Sequence, residues 1–198
     1  MKIIFATHNP GKIIEMKSLL SDLAIEVLSA EEAGIKDEVT EDGKTFAENS
    51  LKKARFAAQV SGGWAVADDS GICLEALAGR PGVHSARWAG AAASGKELVD
   101  FTLEQIKDIE SAELAAHFAS AVALVSPTGR EWVFQGQVDG QVIKTPRGEP
   151  RPKLPYDVIF VPQGQQRTFA EMTEAEKNQL SHRGIAFAKL KDFLRKLL

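Results

Sequence analysis

Apolar residues come in two kinds of run along this chain, short and unbroken or spaced at helical intervals. Residues 2–6, through Ile3-Ile4-Phe5-Ala6, read as a short buried strand, and Thr7-His8-Asn9-Pro10-Gly11 punctuates it. Ile13, Ile14, Met16, Leu19, Leu20 and Leu23 then recur at the spacing of one helix face, and Ile25–Leu28 predicts a second strand. Thr45-Phe46-Ala47-Glu48 forms a capping box opening a helix with Leu51, Ala54, Ala57 and Ala58 on one side. Gly63–Ala67 predicts a buried strand that ends as Asp68-Asp69 emerge into water, with Ser70-Gly71 as the turn. A second box, Ser94 to Glu97, opens a helix carrying Leu98, Phe101 and Ile106. Residues 116–125 and 130–138 predict a hairpin around Pro127-Thr128-Gly129, and Val158–Val161 a further strand. Thr168 to Glu171 is a third box starting a short helix. The final helix runs from about Ser181, with Ile185, Ala188, Leu190, Phe193, Leu194 and Leu197 inward. Early strand–helix alternation and a later hairpin predict an α/β fold, a mixed β-sheet with flanking helices on both faces. No internal repeat or linker divides residues 1–198, which read as a single domain.

Composition narrows the classes. With 198 residues and 44% hydrophobic content, the chain can bury one sizeable core or a core split between two lobes. A net charge of −3 argues against broad nucleic-acid binding, though a small polyanion needs only a few basic residues. Cys73 is the only cysteine and reads as core, so neither an intrachain disulfide nor a cysteine-rich zinc site forms. The opening apolar run is too short for a signal peptide, and nothing approaches a membrane span. These features predict a cytoplasmic protein.

Four segments carry candidate chemistry. Thr7-His8-Asn9-Pro10-Gly11-Lys12 lies at a strand-to-helix junction, where backbone N–H groups and the helix dipole attract anions. It lacks the P-loop pattern, and an ordinary turn with Lys12 in solvent is the alternative. Asp68 and Asp69, with Glu41 in an acidic loop spanning residues 36–43, form an acid set able to hold a divalent cation and orient a water. A solvated loop acid is the simpler reading of Glu41 alone. Lys177 and Ser181-His182-Arg183-Gly184 stand at the entry to the last helix, where Arg gives planar recognition of phosphate or a base edge, with an ordinary surface His-Arg pair as the alternative. In Gly79–Trp88, Pro81-Gly82 is a turn, while Ser85 and Arg87 serve a site or brace the loop.

Taken together these segments resemble the inosine/xanthosine triphosphate pyrophosphatase family over nearly the whole chain. The family's Thr-x-Asn-x-x-Lys matches Thr7, Asn9 and Lys12, and its Glu-x-Gly-x-Thr-Phe-x-Glu-Asn matches Glu41, Gly43, Thr45, Phe46, Glu48 and Asn49. Lys53-Ala54, Ala67-Asp68-Asp69-Ser70-Gly71, Pro81-Gly82 with Ser85-Ala86-Arg87, and Glu176-Lys177 with Ser181–Gly184 complete the match. The resemblance implies Mg2+-dependent cleavage between the α- and β-phosphates of a purine nucleoside triphosphate, releasing the monophosphate and pyrophosphate. It implies an elongated mixed α/β fold with two lobes around a central cleft, and a homodimer. It assigns Asp69 as proton acceptor and metal ligand, Glu41 as a second metal ligand, and Asp68 and Lys53 as catalytic support. Thr7, His8, Asn9, Pro10, Gly11, Lys12, Lys53, Ser70 and Lys177 would hold the triphosphate, and His182 and Arg183 the base.

One segment departs from the family. Its usual Gly-Phe-Gly-Tyr/Trp-Asp-Pro is here Lys153-Leu154-Pro155-Tyr156-Asp157-Val158, so Leu154 replaces the ring expected to stack on the purine. Losing a stacked ring costs about 1–3 kcal/mol in other systems. Intact hydrolytic machinery with altered base recognition through Leu154, Pro155, Tyr156 and Asp157 is therefore expected. Two alternatives stay open: a pyrophosphatase for other modified nucleotides, and a nucleotide-binding module that does not hydrolyse.

Overall fold

A computed structural model of the chain describes residues 1–37 and 39–198, without the side chains of Pro10 and Glu15. Glu38 of the acidic loop and the Pro10 side chain therefore lie outside the described residues. Among those residues the elements run β1 (Lys2–Phe5), α1 (Pro10–Leu19), β2 (Glu26–Ser29), α2 (Phe46–Ser61), β3 (Trp64–Leu74), α3 (Gly95–Gln105), β4 (Ala115–Val125), β5 (Glu131–Val142), β6 (Phe160–Pro162), α4 (Glu174–Leu180) and α5 (His182–Leu197). The strands form one mixed sheet in the order β2-β1-β3-β4-β5-β6. The chain divides into two compact units: Met1–Asp69 with Ser120–Gly136 and Ile185–Leu198, and Ser70–Ala119 with Gln137–Gly184.

In the first unit β1 pairs in parallel with β2 and β3, Ile4 standing opposite Leu28 and Ala65. Strand alternation builds a core on each face. Ile3, Phe5, Val66, Val122 and Leu124 meet Met16 and Leu20 near α1 and Ala186, Phe187, Leu190 and Leu194 of α5. Ile4, Ala65, Ala67, Ala123 and Val125 meet Ala54, Ala57 and Ala58 of α2. Small side chains on both partners suit a close helix–sheet approach, and α2 stops at Gly62, whose φ of 65° supplies the left-handed cap.

In the second unit β5 and β6 are antiparallel, Gly140 opposite Pro162. A Cβ on Gly140 would fall within 3.0 Å of the Val161 carbonyl and the Phe160 ring, so only glycine permits this pairing. Phe118, Phe160 and Phe169 form the aromatic centre of its core, with Ile72, Leu74, Ile106 and Leu114 around them.

Several sequence expectations change. β3 does not end at Asp68-Asp69: it continues through Ser70-Gly71 into the buried Ile72-Cys73-Leu74. Gly71 is not a turn residue but a close-packing one, since its Cβ would collide with the Gly82 carbonyl and Ser85 Oγ. Val158 lies in a 3-10 turn over Pro155–Val158, and the late strand begins only at Phe160. Thr168 caps a single 3-10 turn, while an unpredicted capping box at Thr173 and Glu176 opens α4. At Thr45 only half the box forms: Thr45 Oγ1 accepts from Glu48 N–H, but Glu48 accepts from Lys44 N–H instead. Ile14, Ala188, Leu197 and Phe101 are exposed, and Ala186 and Phe187 take the inward positions on α5. The hairpin turn is as expected, closed by Ser126 N–H to the Arg130 carbonyl at 2.9 Å.

Candidate active site

Because side chains alternate across a strand, the adjacent acids of β3 face opposite ways. Asp68 turns to the α1 face, where Lys12 Nζ lies 2.9 Å from each of its carboxylate oxygens. Asp69 turns to the α2 face, where Asn49 Nδ2 donates to Oδ2 at 2.9 Å and Lys53 Nζ lies 4.0 Å from Oδ1. Lys53 also donates to Glu41 at 2.6 Å and to the Asp68 carbonyl at 2.7 Å. Asn49 is wholly buried and its own orientation is fixed, because Gly43 N–H donates to its Oδ1 at 2.8 Å. A Cβ on Gly43 would strike that same Oδ1, which gives the Glu-x-Gly spacing a physical reason.

The electrostatics follow from this packing. Burial pushes the Asp69 carboxyl above the ordinary carboxylate range, against the opposing pull of Lys53 and the Asn49 hydrogen bond. Burial alone would lower the Lys53 ammonium, but Asp69, Asp68 and Glu41 together hold it above the usual lysine value. A carboxyl with raised proton affinity beside a fixed cation is a competent proton acceptor for water.

At the α1 junction Asn9 caps the helix: its Oδ1 accepts from Gly11 N–H at 3.0 Å and Lys12 N–H at 3.4 Å. Thr7 Oγ1 accepts from Asn9 N–H at 3.2 Å, and His8 is exposed. In this arrangement the amide oxygen occupies donors that an anion would use, and Lys12 is engaged with Asp68. Thr7, Asn9, Gly11 and Lys12 thus form one hydrogen-bonded cluster, tied to Asp68 through the Lys12 side chain.

The second unit gathers the other sequence candidates. Asp157, on the 3-10 turn, receives Lys177 Nζ of α4 at 2.5 Å, both side chains being almost wholly buried. Lys177 also lies 5.4 Å from the Phe169 ring centre, a cation–π distance. Tyr156 donates to the Ser85 carbonyl at 2.8 Å, and burial raises its phenol to about 12. It is thus a packing group whose hydroxyl is already committed. His182 stacks on Phe118 with ring centres 4.7 Å apart and planes 8° off parallel. Arg183 Nη2 donates to Ser70 Oγ at 3.1 Å. Gly184 follows because a Cβ there would run into the Asn178 carbonyl across the α4–α5 junction. Leu154 and Pro155 are half-buried at the start of the 3-10 turn, and Lys153 before them carries a φ of 63°.

Sequence reading assigned no role to Asn49 or Arg151. Asn49 shows as a polar residue in the first turn of a helix, on the side that later proves buried. Arg151 approaches Asp157 only through the turn that folds residue 154 back on 151, which has no periodic signature.

The acid set also tests the expected metal. Among the described residues no group of three or more His, Cys, Asp and Glu forms a ready-made cage. Mg2+ does not require one, being held by one or two carboxylates together with waters and substrate phosphates. Hard oxygen donors at Glu41 and Asp69, both already pairing with a cation, fit that demand.

A family model described as Ham1 family matches residues 3–193. The chain is 43% identical over 199 residues to a dITP/XTP pyrophosphatase of Streptomyces avermitilis, covering 100% of this chain and 98% of that protein. It is similar to a HAM1 protein structure from Coxiella burnetii (TM-score 0.91, 36% identity, 99% of both chains). A Ham1 protein structure from Staphylococcus aureus also matches (TM-score 0.90, 31% identity, 100% of both chains).

Proposed function

The chain belongs to the Ham1 family, and we propose that it hydrolyses non-standard purine nucleoside triphosphates (dITP, ITP and XTP) to the monophosphate and pyrophosphate. It is a pyrophosphatase acting on a phosphoanhydride bond, and residues 1–198 serve that one reaction. The observation that carries the mechanism is Asp69: buried, raised in proton affinity, aimed by Asn49 and set beside Lys53.

Asp69 takes a proton from water as the water oxygen bonds to the α-phosphorus and the α–β bridging bond breaks, the electron pair leaving on pyrophosphate. Lys53 stays protonated through this step and balances the charge gathered on Glu41 and Asp69. Lys12 leaves Asp68 to meet a phosphate. Glu41 and Asp69 would hold Mg2+, which when bound lowers the charge of the triphosphate and acidifies its water. Asp157, His182 and Arg183 serve the base, Arg183 donating to the six-position carbonyl that inosine and xanthosine carry and adenosine lacks. Lys177 and Ser70, expected on the triphosphate, join the base side instead, Lys177 through its ion pair with Asp157 and Ser70 by supporting Arg183. The assignment includes a cytoplasmic homodimer, supported by the family resemblance and, for the compartment, by a lone buried thiol. No helix among the described residues is long and apolar enough to cross a membrane.

Pyrophosphate release from ITP, XTP, ATP and GTP, each with Mg2+ and with chelator, tests the reading. Turnover of ITP and XTP that needs the metal is expected. Binding without turnover, or turnover confined to pyrimidine nucleotides, would overturn it.

A further inference from the structure

Resting on that reading, we propose that Arg151 is a specificity-determining residue that reads the two-position of the purine: it accepts the carbonyl of xanthine and rejects the amino group of guanine. The turn over residues 151–154, closed by Leu154 N–H to the Arg151 carbonyl at 3.1 Å, folds this side chain back toward the 3-10 turn that carries Asp157. One end of its guanidinium is anchored, Nη2 donating to the Met172 carbonyl. The other end, Nη1, lies 3.7 Å from Asp157 Oδ2, too long for a hydrogen bond. Nη1 is shielded from solvent and has no hydrogen-bond acceptor among the described residues.

A shielded guanidinium N–H is costly to leave without an acceptor, and a carbonyl oxygen of a bound base would supply one. The chemistry of that partner follows from the neighbours. Lys177 and Arg151 both approach Asp157 through Oδ2, so Oδ1 is the oxygen offered to a ligand. A carboxylate oxygen beside a guanidinium N–H presents an acceptor next to a donor. The N1–H and C2=O of xanthine present the matching donor next to an acceptor. Arg183 already serves the carbonyl at position six, so the two-position falls to Arg151. Xanthine also loses its N3 proton readily, and the resulting charge rests partly on that same carbonyl, which favours a permanent cation. Inosine carries only C2–H there and leaves Nη1 as it is in the free protein. Guanosine would set an amino donor against it, and two buried donors facing each other are penalised.

The test is kcat/KM for XTP, ITP and GTP in the wild-type protein and in Arg151→Met and Arg151→Gln, with melting curves for all three proteins. Arg151→Met keeps bulk and removes every donor; Arg151→Gln keeps a neutral donor and serves if Arg151→Met does not fold. The expected result is a loss of about tenfold or more in the XTP-to-ITP ratio for Arg151→Met, a smaller loss for Arg151→Gln, and weaker discrimination against GTP. A role in bracing Asp157 alone would lower all three substrates by a common factor, and that result overturns the proposal. So does an unchanged ratio. A wild-type protein that hydrolyses neither ITP nor XTP instead refutes the function on which the proposal rests.

Discussion

Gly71→Ala measures how tightly the acid-bearing strand is locked to the loop beside it. Its Cβ would fall 2.4 Å from two atoms, the Gly82 carbonyl oxygen and Ser85 Oγ. Neither is the end of a flexible chain. Ser85 Oγ accepts from Ile72 N–H at 3.0 Å and donates to the Gly82 carbonyl at 2.6 Å, so any shift of Ser85 disturbs both bonds. Overpacking at a site that cannot yield costs about 1–3 kcal/mol. Two weakened hydrogen bonds to buried backbone add about 1 kcal/mol each at most. A loss near 3 kcal/mol is expected, or about 6–12 °C in melting temperature for a chain of this size. Urea unfolding of Gly71→Ala, Ser85→Ala and the double variant forms a cycle. Removing Oγ abolishes one of the two collisions and leaves no side-chain bonds to disturb. The double variant should therefore be less damaged than the sum of the singles by about 1 kcal/mol or more. A loss under about 1 kcal/mol for Gly71→Ala, or strict additivity, would refute the close-packing account of this glycine.

Three further outcomes follow from the site. Asp69→Asn should abolish pyrophosphate release yet raise the melting temperature of the ligand-free protein. Folded Asp69 binds its proton more tightly than unfolded Asp69, so its ionised form destabilises above the raised value, and that effect fades below the ordinary Asp range. The difference in melting temperature between Asp69→Asn and wild type should accordingly shrink as pH falls; retained activity would refute the role of Asp69. Asn49→Leu removes the hydrogen bond that lowers the Asp69 carboxyl, so the acid limb of the kcat profile should move to higher pH. An unmoved limb would mean that another group takes the proton. Lys177→Met leaves the buried Asp157 without its closest cation and should cost about 3–5 kcal/mol by urea unfolding, much of it recovered in Lys177→Met with Asp157→Asn.

Much of this was readable from local pattern. Periodicity places α1, α2, α3 and α5, and the turn chemistry of Pro127-Thr128-Gly129 places the hairpin, because each is decided within about a dozen neighbouring residues. Long-range contact decided the failures. Asp68-Asp69-Ser70-Gly71 has the composition of a strand end, and only the packing of Ser85 and Gly82 on Gly71 shows that the strand continues. Ile14 and Leu197 fit helical stripes but stand exposed. For the site, residue types at Asp69, Lys53 and Glu41 were legible as chemistry. The separation of Asp68 from Asp69 onto opposite strand faces was not, since it appears only once the strand is known to run through both. Asn49 and Arg151 act through contacts 20 and 6 residues away, and no sequence period reports such pairs.

The core that holds β1 has a consequence for synthesis on the ribosome. Phe5 packs edge-on against Phe187 at 5.9 Å, and Leu190 and Leu194 complete the same cluster. Residues at the start of the chain therefore wait for residues 185–198 before their apolar face is covered. The usual order, in which amino-terminal parts settle while later ones are still being made, does not apply here. The unit begun first is closed last, and until α5 emerges Ile3, Phe5 and Val66 are candidates for chaperone capture. Nascent chains halted before residue 185 should remain protease-sensitive across Met1–Asp69.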